Sequence, residues 1–125
     1  MSTILVVDDS LVTQRILGFM LNRNWFSVLG AFNVLEALEI LKSSQVSVVM
    51  GDLSMPRMDG LELLKQIRSQ EQLKDIPFIM LTASGEDGDL QEAKSAGVDG
   101  FLTKPSSTEE VMQAINQAIN NRVCI

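Results

Sequence analysis

Five short apolar runs, none with the regular apolar-polar alternation of a half-wet strand, constrain this chain more than any other feature. They are Ile4 to Val7, Phe26 to Ala31, Val46 to Met50, Ile76 to Leu81 and Val98 to Leu102. A strand with one face in water alternates, so runs of this kind predict strands covered on both faces, as in a parallel sheet between two layers of helices. Pro77 cannot donate to a strand ladder, which restricts it to the start of its run.

Between the runs lie stretches of helical period, such as Leu61, Leu64 and Ile67, or Val111, Ile115 and Ala118. Asn33 with Glu36, Asp59 with Glu62 and Ser107 with Glu110 each place a capping side chain three residues before a carboxylate. That is the spacing of a capping box, and it predicts helices over about 33–43, 60–70 and 107–120. The stretch from Gly85 to Gly97 has few apolar residues and several glycines, so it predicts the weakest helix and a candidate for motion.

The first helix carries Leu11, Val12, Ile16, Leu17, Phe19, Met20 and Leu21 around much of its circumference. The sheet can cover only part of that surface. Two readings stand for the remainder: packing on the last helix, or an apolar stripe offered to a helical partner. Five strands alternating with five helices predict an α/β, three-layer, doubly wound (βα)5 domain with right-handed crossovers.

At 125 residues, 46% hydrophobic and 21% charged, the chain suits one globular domain spanning residues 1–125. Sixteen acids against ten bases give a formal charge of -6, and without a basic run direct nucleic-acid binding is not expected. Cys124 is alone and makes no internal disulfide, so it is expected to be an exposed thiol without a role. The N-terminus lacks the basic start and apolar core of a signal peptide, and no apolar run is long enough to span a bilayer. A cytoplasmic protein without membrane contact is expected. Without any histidine, zinc sites, Ser-His-Asp triads and phosphohistidine carriers lose their usual ligand or base.

In open parallel sheets, sites form at the carboxyl ends of the strands. That rule selects Asp8 and Asp9 after the first strand, Asp52 at the third, Thr82 at the fourth, and Lys104 followed by Pro105 after the fifth. Carboxylates so close repel one another, so either one stays protonated or a cation neutralises the group. Oxygen ligands without sulfur or imidazole favour a hard ion, Mg²⁺ or alternatively Mn²⁺. A carboxylate beside such an ion can attack a phosphoryl group and form an acyl phosphate, with the metal and Lys104 stabilising the developing charge. Each residue alone has a plainer reading. The acid pair favours a helix start, Thr82 bonds to a loop, Lys104 is a solvated charge, and Phe101 can be plain core. Asp59-Gly60 reads as a helix start and Met55-Pro56 as a loop scaffold, with no chemistry assigned to either.

The acidic pair in VVDDS, the stretch DLSMPRMDG, the LT of IMLTAS and the late FLTKP occur in an order and spacing that resemble response-regulator receiver domains of two-component signalling, in particular chemotaxis-type regulators. The resemblance runs along nearly the whole chain. It implies a flavodoxin-like sheet of order 2-1-3-4-5, with Asp52 as phospho-acceptor. Asp8, Asp9, Asp52 and the carbonyl of Ser54 would hold Mg²⁺. Thr82 would donate to the bound phosphoryl, Lys104 would pair with it, and Phe101 would turn inward as Thr82 moves. A cis bond would precede Pro105, and Ser54 and Ser84 would flank the path of attacking water and tune the phosphoryl lifetime.

The resemblance also implies a sensor histidine kinase or histidine phosphotransfer protein as donor. Output would pass to a downstream target protein or effector domain through the face of helix four, strand five and helix five. Such a domain catalyses only its own phosphorylation and dephosphorylation and is not an enzyme in the wider sense. Two departures stand out. Phe101 occupies a position where many members have Tyr, and Gly51 replaces a larger apolar residue, which predicts a gap or added flexibility beside Asp52.

A small phosphohydrolase working through an aspartyl phosphate is the alternative from the enzyme class, but its acid-base Asp two residues after the nucleophile is here Ser54. A flavin carrier is disfavoured because two acids after the first strand would repel a phosphate. A degenerate receiver acting only as a docking module is the other alternative, ranked low because every chemical residue is present. A stand-alone regulator and a receiver from a longer regulator both fit the sequence.

Overall fold

The computed structural model describes residues 2–52, 60–82, 91, 94–103 and 107–123. In chain order the elements are β1 (Thr3–Val7), α1 (Leu11–Arg23), β2 (Ser27–Ala31), α2 (Val34–Ser43), β3 (Val48–Asp52), α3 (Gly60–Ser69), β4 (Phe78–Thr82), α4, described at 91 and 94–96, β5 (Gly100–Thr103) and α5 (Thr108–Val123). The strands form one parallel sheet of order β2-β1-β3-β4-β5, the doubly wound arrangement in which strand order reverses beside β1.

Successive strand residues feed opposite cores, which explains why the runs do not alternate. Leu5, Val7, Val49, Phe78 and Met80 point to the side covered by α2 and α3, where Val34, Ala37, Leu63, Leu64 and Ile67 complete the cluster. Ile4, Val6, Val48, Met50, Ile79 and Leu81 point the other way, to Leu17 and Leu21 of α1 and to Val111, Ile115 and Ala118 of α5. Each fully buried side chain of this kind contributes about 1.5–3 kcal/mol.

β2 to β5 begin one or two residues later than the apolar runs, whereas β1 begins one residue earlier, at Thr3. β3 begins at Val48 and runs to Asp52, two residues later than the apolar run, because the ladder opens where Ser47 N–H meets the carbonyl of Thr3 at 2.8 Å. β4 begins just after Pro77, whose carbonyl accepts from Val49 N–H at 2.9 Å. β5 begins at Gly100, because the preceding Asp99 turns its carboxylate to Phe78 N–H at 2.8 Å and to Arg68 at 2.9 Å. Arg68 also reaches the carbonyl oxygens of Lys74, Ile76 and Gly97, so one guanidinium joins the end of α3, the approach to β4, the turn after α4 and the approach to β5.

The helix starts follow their predicted caps. Glu36 N–H donates to Asn33 Oδ1 at 2.9 Å, while the Glu36 carboxylate reaches back past the cap to Phe32 N–H at 2.7 Å. Ser107 and Glu110 exchange both bonds of a capping box, at 3.0 and 3.1 Å. The Ser107 backbone N–H, and then its hydroxyl, hold the Glu110 carboxyl below its ordinary pKa. The expected cap at Asp59 lies outside the described residues.

α1 ends in an unusual way. Phe26 N–H bonds to Leu21 O at 3.0 Å and Trp25 N–H to Asn22 O at 3.3 Å, the two bonds of a Schellman motif. Its left-handed position, usually glycine, is Trp25, with φ 70 and its side chain 81% exposed. After α4, by contrast, Gly97 takes the positive φ.

Of the apolar residues around α1, Leu17 and Leu21 are buried, whereas Leu11, Val12, Ile16 and Phe19 are exposed. Packing on the last helix therefore accounts for only part of the apolar circumference. The Arg23 guanidinium lies 5.5 Å from the Phe19 ring centroid, a contact open to solvent on the outer face. No helix among the described residues is long and apolar enough to cross a membrane.

Two stability outcomes follow. Ile67→Ala, at a fully buried site, should lower stability by about 3 kcal/mol and the melting temperature by roughly 10 °C, while Phe19→Ser should change stability by under about 0.5 kcal/mol. Calorimetry on both variants checks the contrast, and equal losses would contradict the exposure assigned to α1. Trp25→Gly should raise stability by about 0.5–1 kcal/mol by removing left-handed strain, read as a shift in urea midpoint at constant slope.

Candidate functional site

A sheet with two dry faces leaves its polar side chains to the strand ends. Among the described residues, the buried polar or charged side chains are Asp8, Asp52 and Thr82, at 0%, 5% and 3% exposure. All three lie at the carboxyl ends of neighbouring strands. The register holds those ends level: Val7 pairs with Gly51, Asp52 with Leu81, and Thr82 with Thr103.

Asp8, Asp9 and Asp52 each offer a carboxylate oxygen, and the three oxygens lie within 4.8 Å of one another. At that spacing each pair of like charges repels by about 3 kcal/mol at the effective dielectric of a protein surface. Asp9 is exposed, so the cluster opens to solvent on one side. The donor set is all oxygen and carries three negative charges, which fits a hard divalent cation.

Local structure holds each acid in place. Asp8 N–H continues the ladder to Ala31 O at 3.0 Å, and Ser10 N–H donates to Asp8 Oδ1 at 2.8 Å. The Ser10 hydroxyl in turn accepts from Thr13 N–H and caps α1, so the acids end one element at the point where the next begins. Asp52 is the last residue of β3, with a close packing contact on either side. A Cβ at Gly51 would stand 2.8 Å from Cζ of Phe78, so the expected gap beside Asp52 does not exist: the Phe78 ring fills it. A Cβ at Gly60 would collide with the Asp52 carbonyl oxygen. Gly60 is thus more than a helix start, because its lack of a side chain lets α3 begin against the backbone of the acid.

Thr82 ends β4 in a buried position, and Phe101 pairs with Met80 and packs, half-buried, against the cluster under α2 and α3. Lys104, Pro105, Ser54 and Ser84 lie outside the described residues, as do Met55-Pro56 and Cys124. Sequence reasoning missed Gln14. Its Nε2 stands 3.0 Å from Val6 O, 3.2 Å from Asp8 O and 2.7 Å from Ala31 O, at the junction of β1, β2 and α1. A glutamine on an early helical turn carries no signal of such a contact, because its partners are backbone atoms of other elements.

The comparisons with known proteins agree with this geometry. The response regulator receiver domain family matches residues 4–116. A CheY homologue of Campylobacter jejuni is 35% identical over 118 residues, covering 93% of this chain and 91% of its own. The transcriptional regulatory protein GlrR of Escherichia coli is 37% identical over 116 residues, which are 93% of this chain but 26% of that protein. The solved structure of chemotaxis protein CheY4 of Vibrio cholerae superposes with a TM-score of 0.90 at 31% identity, covering 94% of this chain and 98% of that one. Sheet order, acids at level strand ends and a match along most of the chain agree, and the chain belongs to the response regulator receiver domain family.

Proposed function

We propose that Asp52 accepts a phosphoryl group from a phosphohistidine of a sensor histidine kinase or histidine phosphotransfer protein. The observation that carries this reading is the placement of three carboxylate oxygens within 4.8 Å, two of the acids being buried. An Asp52 oxygen attacks phosphorus, the bond to the donor imidazole breaks, and an acyl phosphate remains on the carboxylate. Asp8, Asp9, Asp52 and the Ser54 carbonyl would hold Mg²⁺ or Mn²⁺, which supplies charge neutralisation for the crowded acids and the incoming phosphoryl oxygens.

Lys104 pairs with the phosphoryl group, and the hydroxyl of Thr82 donates to it from the end of β4. Ser54 and Ser84 flank the approach of the water that later removes it. The new charge biases a pre-existing pair of states: Thr82 is drawn toward Asp52, and Phe101 turns further into the space behind it. The face of α4, β5 and α5 then presents a changed surface to a downstream target or effector domain. The domain catalyses these steps on itself alone. A phosphohydrolase would need a second carboxylate two residues beyond Asp52, where the chain has Ser54.

Intact mass after incubation with acetyl phosphate and Mg²⁺ should show one phosphoryl adduct, absent in Asp52→Asn and absent with chelator. An adduct that persists at the wild-type level in the variant would remove Asp52 from the role. Mg²⁺ should also stabilise the fold, by about 2.7 kcal/mol at a hundredfold excess over its Kd. Asp9→Asn, which relieves like-charge repulsion with Asp8 and Asp52, should raise metal-free stability and cut that increment, as read by thermal melts across a Mg²⁺ titration. An undiminished increment would take Asp9 out of the metal site.

A further inference from the structure

Gln14 lies in the second turn of α1, and its side chain turns back over the end of the sheet. A carboxamide nitrogen has two protons, yet this one faces three carbonyl oxygens, those of Val6, Asp8 and Ala31. The Ala31 carbonyl already accepts from Asp8 N–H at 3.0 Å. One side chain therefore ties together the end of β1, the end of β2 and the start of α1 at the peptide that links Asp8 to Asp9.

That peptide matters because it leads into Asp9, the exposed acid of the cluster. Ser10 N–H holds the Asp8 carboxylate, but among the described residues the Asp9 side chain has no hydrogen bond or ion pair of its own. The direction of Asp9 follows from its backbone, and the carbonyl of the preceding residue is the atom that Gln14 holds. Removing the amide takes away one restraint on that peptide, leaving the bonds of Asp8 N–H to Ala31 O and of Ser10 N–H to Asp8 Oδ1, and Asp9 shifts with it.

A second residue is shaped to the same contact. A Cβ at Gly30 would stand 2.7 Å from Gln14 Oε1 and 3.3 Å from its Cδ. Gly30 is exposed on an edge strand, where a β-branched residue would ordinarily fit better. Its missing side chain leaves the space that the carboxamide uses.

We propose that Gln14 is a positioning residue for the divalent cation, acting through the Asp8–Asp9 peptide, and that Gly30 is a glycine because it must admit the Gln14 amide. This rests on the reading of the acids as a metal site. The contact is made by neutral groups, so it orients the acids without adding charge to the cluster. Ligand-orienting groups of this kind change metal affinity by about 10- to 100-fold when removed.

The test measures Mg²⁺ and Mn²⁺ affinity by titration calorimetry on the full chain, together with metal-free melting temperature. Gln14→Ala and Gln14→Met, the second keeping the length of the stem, should each weaken binding about tenfold. Gly30→Ala should weaken it in the same direction. In the Gln14→Ala background, Gly30→Ala should cost nothing further, because the atom it would strike is gone. A merely structural role would lower metal-free melting while leaving affinity intact, and that result overturns the proposal. Additive losses from Gln14→Ala and Gly30→Ala overturn the pairing. If the wild-type protein binds neither ion, the metal reading fails together with this inference. If it binds and both Gln14 variants bind equally well, this inference alone fails.

Discussion

Burial of both sheet faces governs the rest of this molecule. Once β1, β3 and β4 are dry on two sides, a polar side chain has a place only where a strand stops, and the parallel register stops them at one level. Hydrophobic packing thus concentrates Asp8, Asp52 and Thr82 in a small volume that electrostatics alone would disperse. The stability of the fold comes from two apolar layers, and that surplus holds mutually repelling acids together.

The two edges of the sheet are built in opposite ways. At the amino edge, Arg68 and Asp99 form a compact ion pair that also satisfies the carbonyls of Lys74, Ile76 and Gly97 and the N–H of Phe78. Opposite charges there secure the starts of β4 and β5. At the carboxyl edge, like charges meet near the end of the same β4.

The features that the sequence reveals are periodic or adjacent along the chain. Unalternating runs announced five strands, of which β1, β3 and β4 are covered on both faces and the edge strands β2 and β5 only partly; Asn33 and Ser107 announced their helices, and the strand-end rule selected Asp8, Asp9, Asp52 and Thr82. What stayed hidden depends on close approach between distant elements. Apolar character placed β3 two residues early, because the ladder, not hydropathy, decides where pairing begins. Gly51 suggested a gap, yet Phe78, far along the chain, fills it. Trp25 in a left-handed position contradicts local preference altogether, and only the two backbone bonds closing α1 reveal it.

Glycine acts here by leaving space as much as by granting conformational freedom. Gly51 admits the ring of Phe78, and Gly60 lets the first residue of α3 lie against the carbonyl of Asp52. Together these contacts fix the backbone on both sides of the acid, one through a neighbouring strand and one through the following helix. A carboxylate that is to meet phosphorus along a defined line, as proposed for Asp52, gains from a fixed backbone. Small residues at positions 51 and 60 allow that restraint through the main chain, because a side chain at either would strike Phe78 or the Asp52 carbonyl.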